Sequence, residues 1–227
     1  MQHLKRAQGE GSGPIATPPK RTLPAEVRKE QLLTAARKVL AASGFSKMRI
    51  SDVVREAGLS QGMFYLHFAS KEDVVVELVR AMIAEAIAAL NEGFDEKANM
   101  RAGVETVLGR YYAVCFRYRD VLESGDGGAA VGSERMNEVY KPLNEFAHRI
   151  IALWQSRGEI DPAAPTDVVS WLLIDTVNGA LARLFGHSGD RISEDYQQHI
   201  VDWLAAALRS YPAKALDSGS PRGKVTD

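Results

Sequence analysis

A chain of 227 residues, 45% of them hydrophobic, can bury one substantial core or two modest ones without metals or disulfides. Its single cysteine, Cys115, excludes an intrachain disulfide, and neither an apolar leader nor a run approaching the roughly 18 apolar residues of a bilayer span is expected, so a reducing cytoplasm is the expected compartment. The net charge of −1 hides an asymmetry: residues 1–71 carry 12 Lys and Arg against 5 Asp and Glu, and the remainder 16 against 24, which points to one part that meets phosphate and an acidic part with another task.

Residues 1–23 contain Gly9, Gly11, Gly13, Pro14, Pro18 and Pro19 and few large apolar groups, a composition that predicts a flexible basic arm ending in Lys20 and Arg21. The stretch 212–227 has the same character and predicts a loose tail. Between them apolar residues recur at helical spacing and no run alternates in the manner of a strand, so the expected fold class is all-α. Pro24 suits the first turn of an opening helix, whose stripe of Leu32, Leu33, Ala36, Val39 and Leu40 ends at Gly44, after which Phe45 packs back. Further helices are predicted over 51–57, 61–67, 71–90, 101–119, 134–155, 167–185 and 194–210. Ser70 and Asp73 have the spacing of a capping box, and Glu72 adds negative charge where the helix dipole favours it. The helix from residue 71 therefore follows its predecessor almost at once.

The segment SDVVREAGLSQGMFYLHF, Ser51 to Phe68, places two short helices around Ala57, Gly58, Leu59 and Ser60. Gly58 can take the left-handed conformation that a helix-turn-helix demands, and Ser60 can cap the second helix. On the first helix Ile50, Val53, Val54 and Ala57 share a face, with Asp52, Arg55 and Glu56 outward. On the second, Phe64 and Phe68 fall on the core side, Gly62 and Leu66 roughly opposite, and Met63 and Tyr65 flank them. A solvated helix would carry Lys or Glu on that outward face. Against a duplex the residues make sense: Gly62 permits close approach, Met63 and Leu66 can touch thymine methyls, the Tyr65 hydroxyl can reach phosphate and Gln61 can bond adenine. A helix-turn-helix that docks on protein, in a ligand-binding or adaptor protein, is the alternative reading of the same shape.

These residues resemble the tetracycline-repressor (TetR) family of one-component regulators. The likeness runs from about Ala35 through Val74, and its most specific part is AGLSQGMFYLHFASKEDV, Ala57 to Val74. By resemblance Ser60, Gln61, Gly62, Met63, Tyr65, His67 and Lys71 match positions that family members use against DNA, with Tyr65, His67 and Lys71 on the phosphate backbone and Gln61 and Met63 nearer the bases. Two departures stand out. Met48 and Arg49 occupy the place of a frequent pair of small hydroxyl residues; Arg49 can supply a phosphate contact by charge, but the helix loses a side-chain cap. Leu66 replaces a position that is often polar or aromatic, so base preference is not carried over. The resemblance further implies a helix-turn-helix domain over 24–70 and a helical regulatory domain over 71–211, which dimerises through its last two long helices and encloses a small-molecule pocket. A homodimer on double-stranded DNA, released by an effector, is the expectation.

Elsewhere the bland readings prevail. Gly125 to Ala130 matches the letters of a dinucleotide fingerprint, but no strand precedes it, and a loop is expected. No zinc-binding set, phosphate-cradling lysine motif or nucleophile elbow occurs, so no cofactor, metal or catalytic residue is expected. Cys115 sits mid-helix among Tyr111, Tyr112 and Phe116, as a packing residue does. The aromatic series Tyr111, Tyr112, Phe116, Tyr118, Phe146, Trp154, Trp171 and Phe185 reads mainly as core, and Tyr111, Tyr112, Cys115, Phe116, Phe146, Trp154 and Trp171 are the candidates to line a pocket. Thr176, Gly179 and Ala180, and Ile200, Trp203 and Leu204 at i, i+3, i+4, fit packing inside one protomer as well as a dimer interface; the resemblance favours the interface.

Overall fold

The computed structural model describes residues 24–123, 133–185 and 194–211. The arm over 1–23, the loop at Gly125 to Ala130 and the tail over 212–227 lie outside the described residues. Every regular element among the described residues is an α-helix: α1 (Ala25–Lys47), α2 (Ile50–Ala57), α3 (Gln61–Tyr65), α4 (Lys71–Gly93), α5 (Met100–Arg117), α6 (Arg119–Leu122), α7 (Ser133–Ser156), α8 (Thr166–Phe185) and α9 (Glu194–Arg209).

The first helix ends physically where glycine stands. Gly44 takes φ 72°, ψ 167°, a backbone that only glycine adopts easily, and the chain turns so that Phe45 enters the core. Two helix ends fall two residues short of expectation. The helix expected over 101–119 stops at Arg117, because Tyr118 leaves helical geometry (φ −109°, ψ 20°) and its N–H turns back to the Cys115 carbonyl at 3.0 Å; the single turn α6 then follows. α3 stops at Tyr65, and the His67 and Phe68 N–H groups both return to the Phe64 carbonyl at 2.9 Å.

α1 packs on α2, and α2 on α3, forming an N-terminal three-helix domain; α4 leads from it into a C-terminal helical domain in which α4 lies against α5 and α7, α7 against α8, and α5 against α9. The two domains are not separated by a seam, since one connected apolar core runs from Leu32 through Val74 and Leu90 to Leu208. α8 corrects one expectation: by length and composition it is apolar enough to cross a bilayer. In this fold Val169, Leu173, Ile174, Val177 and Leu181 of α8 face the protein's own interior, which accounts for their hydrophobicity.

Candidate DNA-reading face and effector cavity

The turn between α2 and α3 is built as its residues dictate. Gly58 closes α2 in the left-handed region (φ 65°, ψ 29°), and the Leu59 N–H donates to the Val54 carbonyl at 2.9 Å. The Ser60 side chain accepts from the Met63 N–H at 3.2 Å, satisfying one of the donors left open at the start of α3. Phe64 and Phe68 are buried with ring centroids 5.5 Å apart, and they pin the short helix to the core. Pinning that side leaves the opposite one bare: Tyr65 is 56% exposed and Leu66 75%, with Gln61 and Gly62 exposed beside them. Nothing inside the protein requires glycine at position 62, because an added Cβ would meet only Ser60 Oγ at 3.8 Å.

The remaining candidates on this face are partly engaged within the chain. Met63 is half-buried, and its Sδ accepts from Arg28 Nη1 of α1 at 3.5 Å. Lys71 Nζ donates to the Phe45 carbonyl at 3.0 Å and lies 4.3 Å from the Phe45 ring, which leaves its other protons for an outside acceptor. His67 is half-buried with its ring 6.3 Å from that of Phe68. Arg49 is exposed at the N-cap of α2 and makes no side-chain cap there, while Met48 is buried.

One ionic clamp joins this domain to the helices behind it, and a second fixes the start of α4 within those helices. Ser70 and Asp73 form a full capping box at the start of α4, and the Asp73 carboxylate also accepts from Arg135 of α7 at 2.6 Å. The Arg135 guanidinium holds the Asp73 carboxyl below its ordinary value of 3.8, helped by the Ala69 and Ser70 N–H groups. On the other flank, Arg37 of α1 forks onto both oxygens of Asp120 in α6 at 2.7 and 2.8 Å, donates to the Arg117 carbonyl, and stands 4.5 Å from the centroid of the Tyr118 ring.

Between α4, α5, α7 and α8 lies an apolar cavity of about 30 Å³. Leu90, Val107, Leu143, Phe146, Ala147, Ile150, Leu173, Ile174 and Val177 line it, and among the described residues its only polar walls are Tyr111 and Asn178. The Tyr111 hydroxyl donates to Asn178 Oδ1 at 2.8 Å. Burial raises the Tyr111 phenol well above its ordinary value and pushes Cys115 and Tyr140 beside it up to about 12.

Of the expected pocket residues, only Tyr111 and Phe146 reach this cavity. The other five have separate surroundings. Tyr112 is turned to donate to the Val177 carbonyl at 3.1 Å, and Phe116 packs edge-on against Phe185. Trp154 is fully buried against Phe94 and Gly103, where a Cβ on Gly103 would come within 2.7 Å of the indole, and its Nε1–H has no partner among the described residues. Cys115 is buried, and Trp171 is half-buried. Asn178 was missed, although an amide between Val177 and Gly179 in an otherwise apolar helix is the signal that would have found it.

The expected interface residues divide similarly. Leu204 is buried in the protomer's own core and is withdrawn from the interface set, because its side of α9 carries Val201, Ala205 and Leu208 inward against the fold. Trp203 is 59% exposed, Gly179 faces open space, and Thr176, Ala180 and Ile200 are half-buried. Val168, Leu172 and Tyr196 add further exposed apolar surface on α8 and α9.

A capped helix-turn-helix with an uncharged outward face, carried on an all-helical body, defines the class: a DNA-binding regulator. Residues 32–78 match the family model of bacterial regulatory proteins of the tetR family. The chain is similar to the HTH-type transcriptional regulator YvdT of Bacillus subtilis, with 23% identity over 182 residues, 79% of this chain and 94% of the relative. It is also similar to the fatty acid metabolism regulator protein of the same organism, with 22% identity over 160 residues, 65% of this chain and 78% of the relative. The fold is that of the Bacillus subtilis transcriptional regulator FadR solved with stearoyl-CoA, at a TM-score of 0.65 and 18% identity over 80% of this chain and 97% of that one. These findings together support a TetR-family regulator, with the family match itself lying over residues 32–78.

Proposed function

We propose that the protein works as a cytoplasmic homodimer whose two α3 helices enter successive major grooves of an inverted-repeat operator, and that a small, largely apolar effector releases it. Protein two-fold symmetry requires matching half-sites. The observation that carries the reading is the bare face of α3: exposed Tyr65 and Leu66 beside a glycine that the chain's own packing does not need. On this reading Gln61, Gly62, Met63 and Leu66 meet base edges, and Ser60, Tyr65, His67, Lys71 and Arg49 meet the backbone, with residues 24–70 as the reading unit and 71–211 as the regulatory one. The exposed Trp203, Tyr196, Val168 and Leu172 support pairing of α8 and α9 with a second copy, Thr176, Gly179, Ala180 and Ile200 lying within that face.

The effector enters between α4, α5, α7 and α8. The apolar lining supports a ligand whose buried part is mainly hydrocarbon, in keeping with the stearoyl-CoA bound by the Bacillus subtilis FadR. Parting α5 from α8 shifts α4, which starts six residues after α3 ends. Moving the DNA-competent state from 99:1 to 1:99 takes about 5.5 kcal/mol of differential affinity, within reach of several buried methylenes at about 0.8 kcal/mol each.

The test is fluorescence anisotropy with duplexes from the gene's own upstream region, combined with light scattering. The expected result is two chains per inverted-repeat duplex and a mass of two chains free in solution. Equal affinity for symmetric and scrambled duplexes at physiological salt overturns the reading face. A concentration-independent mass of one chain overturns the dimer.

A further inference from the structure

The cavity has a chemical character beyond being apolar. Its walls come from four helices, and among the described residues none of the lining side chains is an Asp, Glu, Lys, Arg or His. Its polar provision is one hydroxyl and one carboxamide, already bonded to each other at 2.8 Å. The titratable groups beside them, Cys115 and Tyr140, are held neutral by burial across the physiological range. A carboxylate, phosphate or ammonium carried into this space would find no counter-charge, and the penalty for burying an unpaired ion is several kcal/mol. A neutral oxygen or N–H would find a donor and an acceptor, at the cost of one hydrogen bond exchanged for another.

We propose that the part of the effector entering this cavity is uncharged and carries a single hydrogen-bonding group, which inserts between Tyr111 and Asn178 and takes over their mutual bond. The selected class is therefore alcohols with an apolar body, which accept from Tyr111 and donate to Asn178, followed by ketones, esters and thioesters, which accept from Tyr111 alone, and the carboxylate and ammonium ions are refused. The cavity, at about 30 Å³, has room for one water-sized group, an order of magnitude less than the roughly 300 Å³ at which small-molecule pockets begin. A larger ligand must separate α5 from α8, and the bond it breaks in doing so is the one that selects it. This inference rests on the proposed effector reading of the cavity, but its chemistry is tested separately.

The experiment measures displacement of the uncharged dye N-phenyl-1-naphthylamine from the full chain by 1-decanol, methyl decanoate, decanoate and decylammonium. Decanol and the ester should compete, and the two ions at pH 8 should be about 100-fold weaker or more. Decanoate should gain about tenfold per pH unit between pH 8 and 6, entering as the neutral acid, while decanol stays flat. Decanoate as tight as decanol with no pH dependence overturns the proposal, as does failure of every probe to bind.

Asn178→Leu should weaken decanol by about tenfold with dye uptake kept; unchanged decanol affinity removes the Tyr111–Asn178 pair from recognition. Ala147→Phe, or Val107→Phe from another helix should the first not fold, should abolish dye uptake, and retained uptake in a folded variant places binding elsewhere and overturns the site. Operator release is read in the same samples. Charge selection without release leaves the cavity chemistry standing and sinks the effector mechanism.

Discussion

The proposed reading head and the proposed effector cavity invert the usual rule of burial in opposite directions. On α3 the large side chains of Tyr65 and Leu66 stand in solvent, whereas in the core of the C-terminal domain the polar groups of Tyr111, Tyr112 and Cys115 are buried. Neither inversion stabilises the fold by itself. Exposed leucine forgoes its transfer energy, and a buried phenol must find a partner to offset its desolvation. The two sites also differ in what holds them. The turn and caps that present the reading face are set by contacts within 20 residues of chain, from the Gly58 turn to the Asp73 capping box. The cavity is assembled from residues as far apart as Leu90 and Asn178.

The contrast predicts that removing an anchor beneath the reading face costs far more stability than changing the face. Phe64→Ala should have the largest effect, a loss of about 3–5 kcal/mol in chemical denaturation together with loss of operator binding, because a fully buried ring is replaced by a void. A loss under 1 kcal/mol would mean that α3 is not pinned by its aromatic side. Ser60→Ala should cost about 1 kcal/mol through its lost cap, and should weaken DNA binding as α3 frays. Leu66→Ser should stay within about 0.5 kcal/mol of the parent in stability while lowering operator affinity and its preference for one base position. Parent-like operator binding by that variant would take Leu66 off the reading face.

The smallest effect concerns the joint between the two regions. Asp73 has its pKa lowered in the fold by Arg135, so the stabilisation is fully present above its ordinary value of 3.8 and is lost as the pH falls through the lower folded value. Arg135→Gln should flatten that part of the acid limb in a melting-temperature series. An unchanged acid limb would show that the clamp does not report on folding.

The helix-turn-helix was legible because its determinants are local. Gly58, Ser60, Ser70 and Asp73 act on backbone groups one to four residues away, and the 3.6-residue period alone separates Phe64 and Phe68 from Gly62 and Leu66. The cavity was half legible. Tyr111 and Phe146 were named for being aromatic, but Trp154 and Phe116 share that chemistry and ended in other clusters, since residue type predicts burial and not which neighbours share it.

The order of residues along this chain thus determined the all-helical class, the turn and caps of the reading head, and which of its faces is bare, all through interactions that span less than two helical turns. Packing in three dimensions decided that Asn178 meets Tyr111, that Leu204 turns inward while Trp203 stays out, that Arg37 ties α1 to α6, and that Arg135 ties the start of α4 to α7. Those choices depend on crossing angles and offsets between helices far apart in the chain, where ridges of many side chains must interlock at once. No local period encodes them.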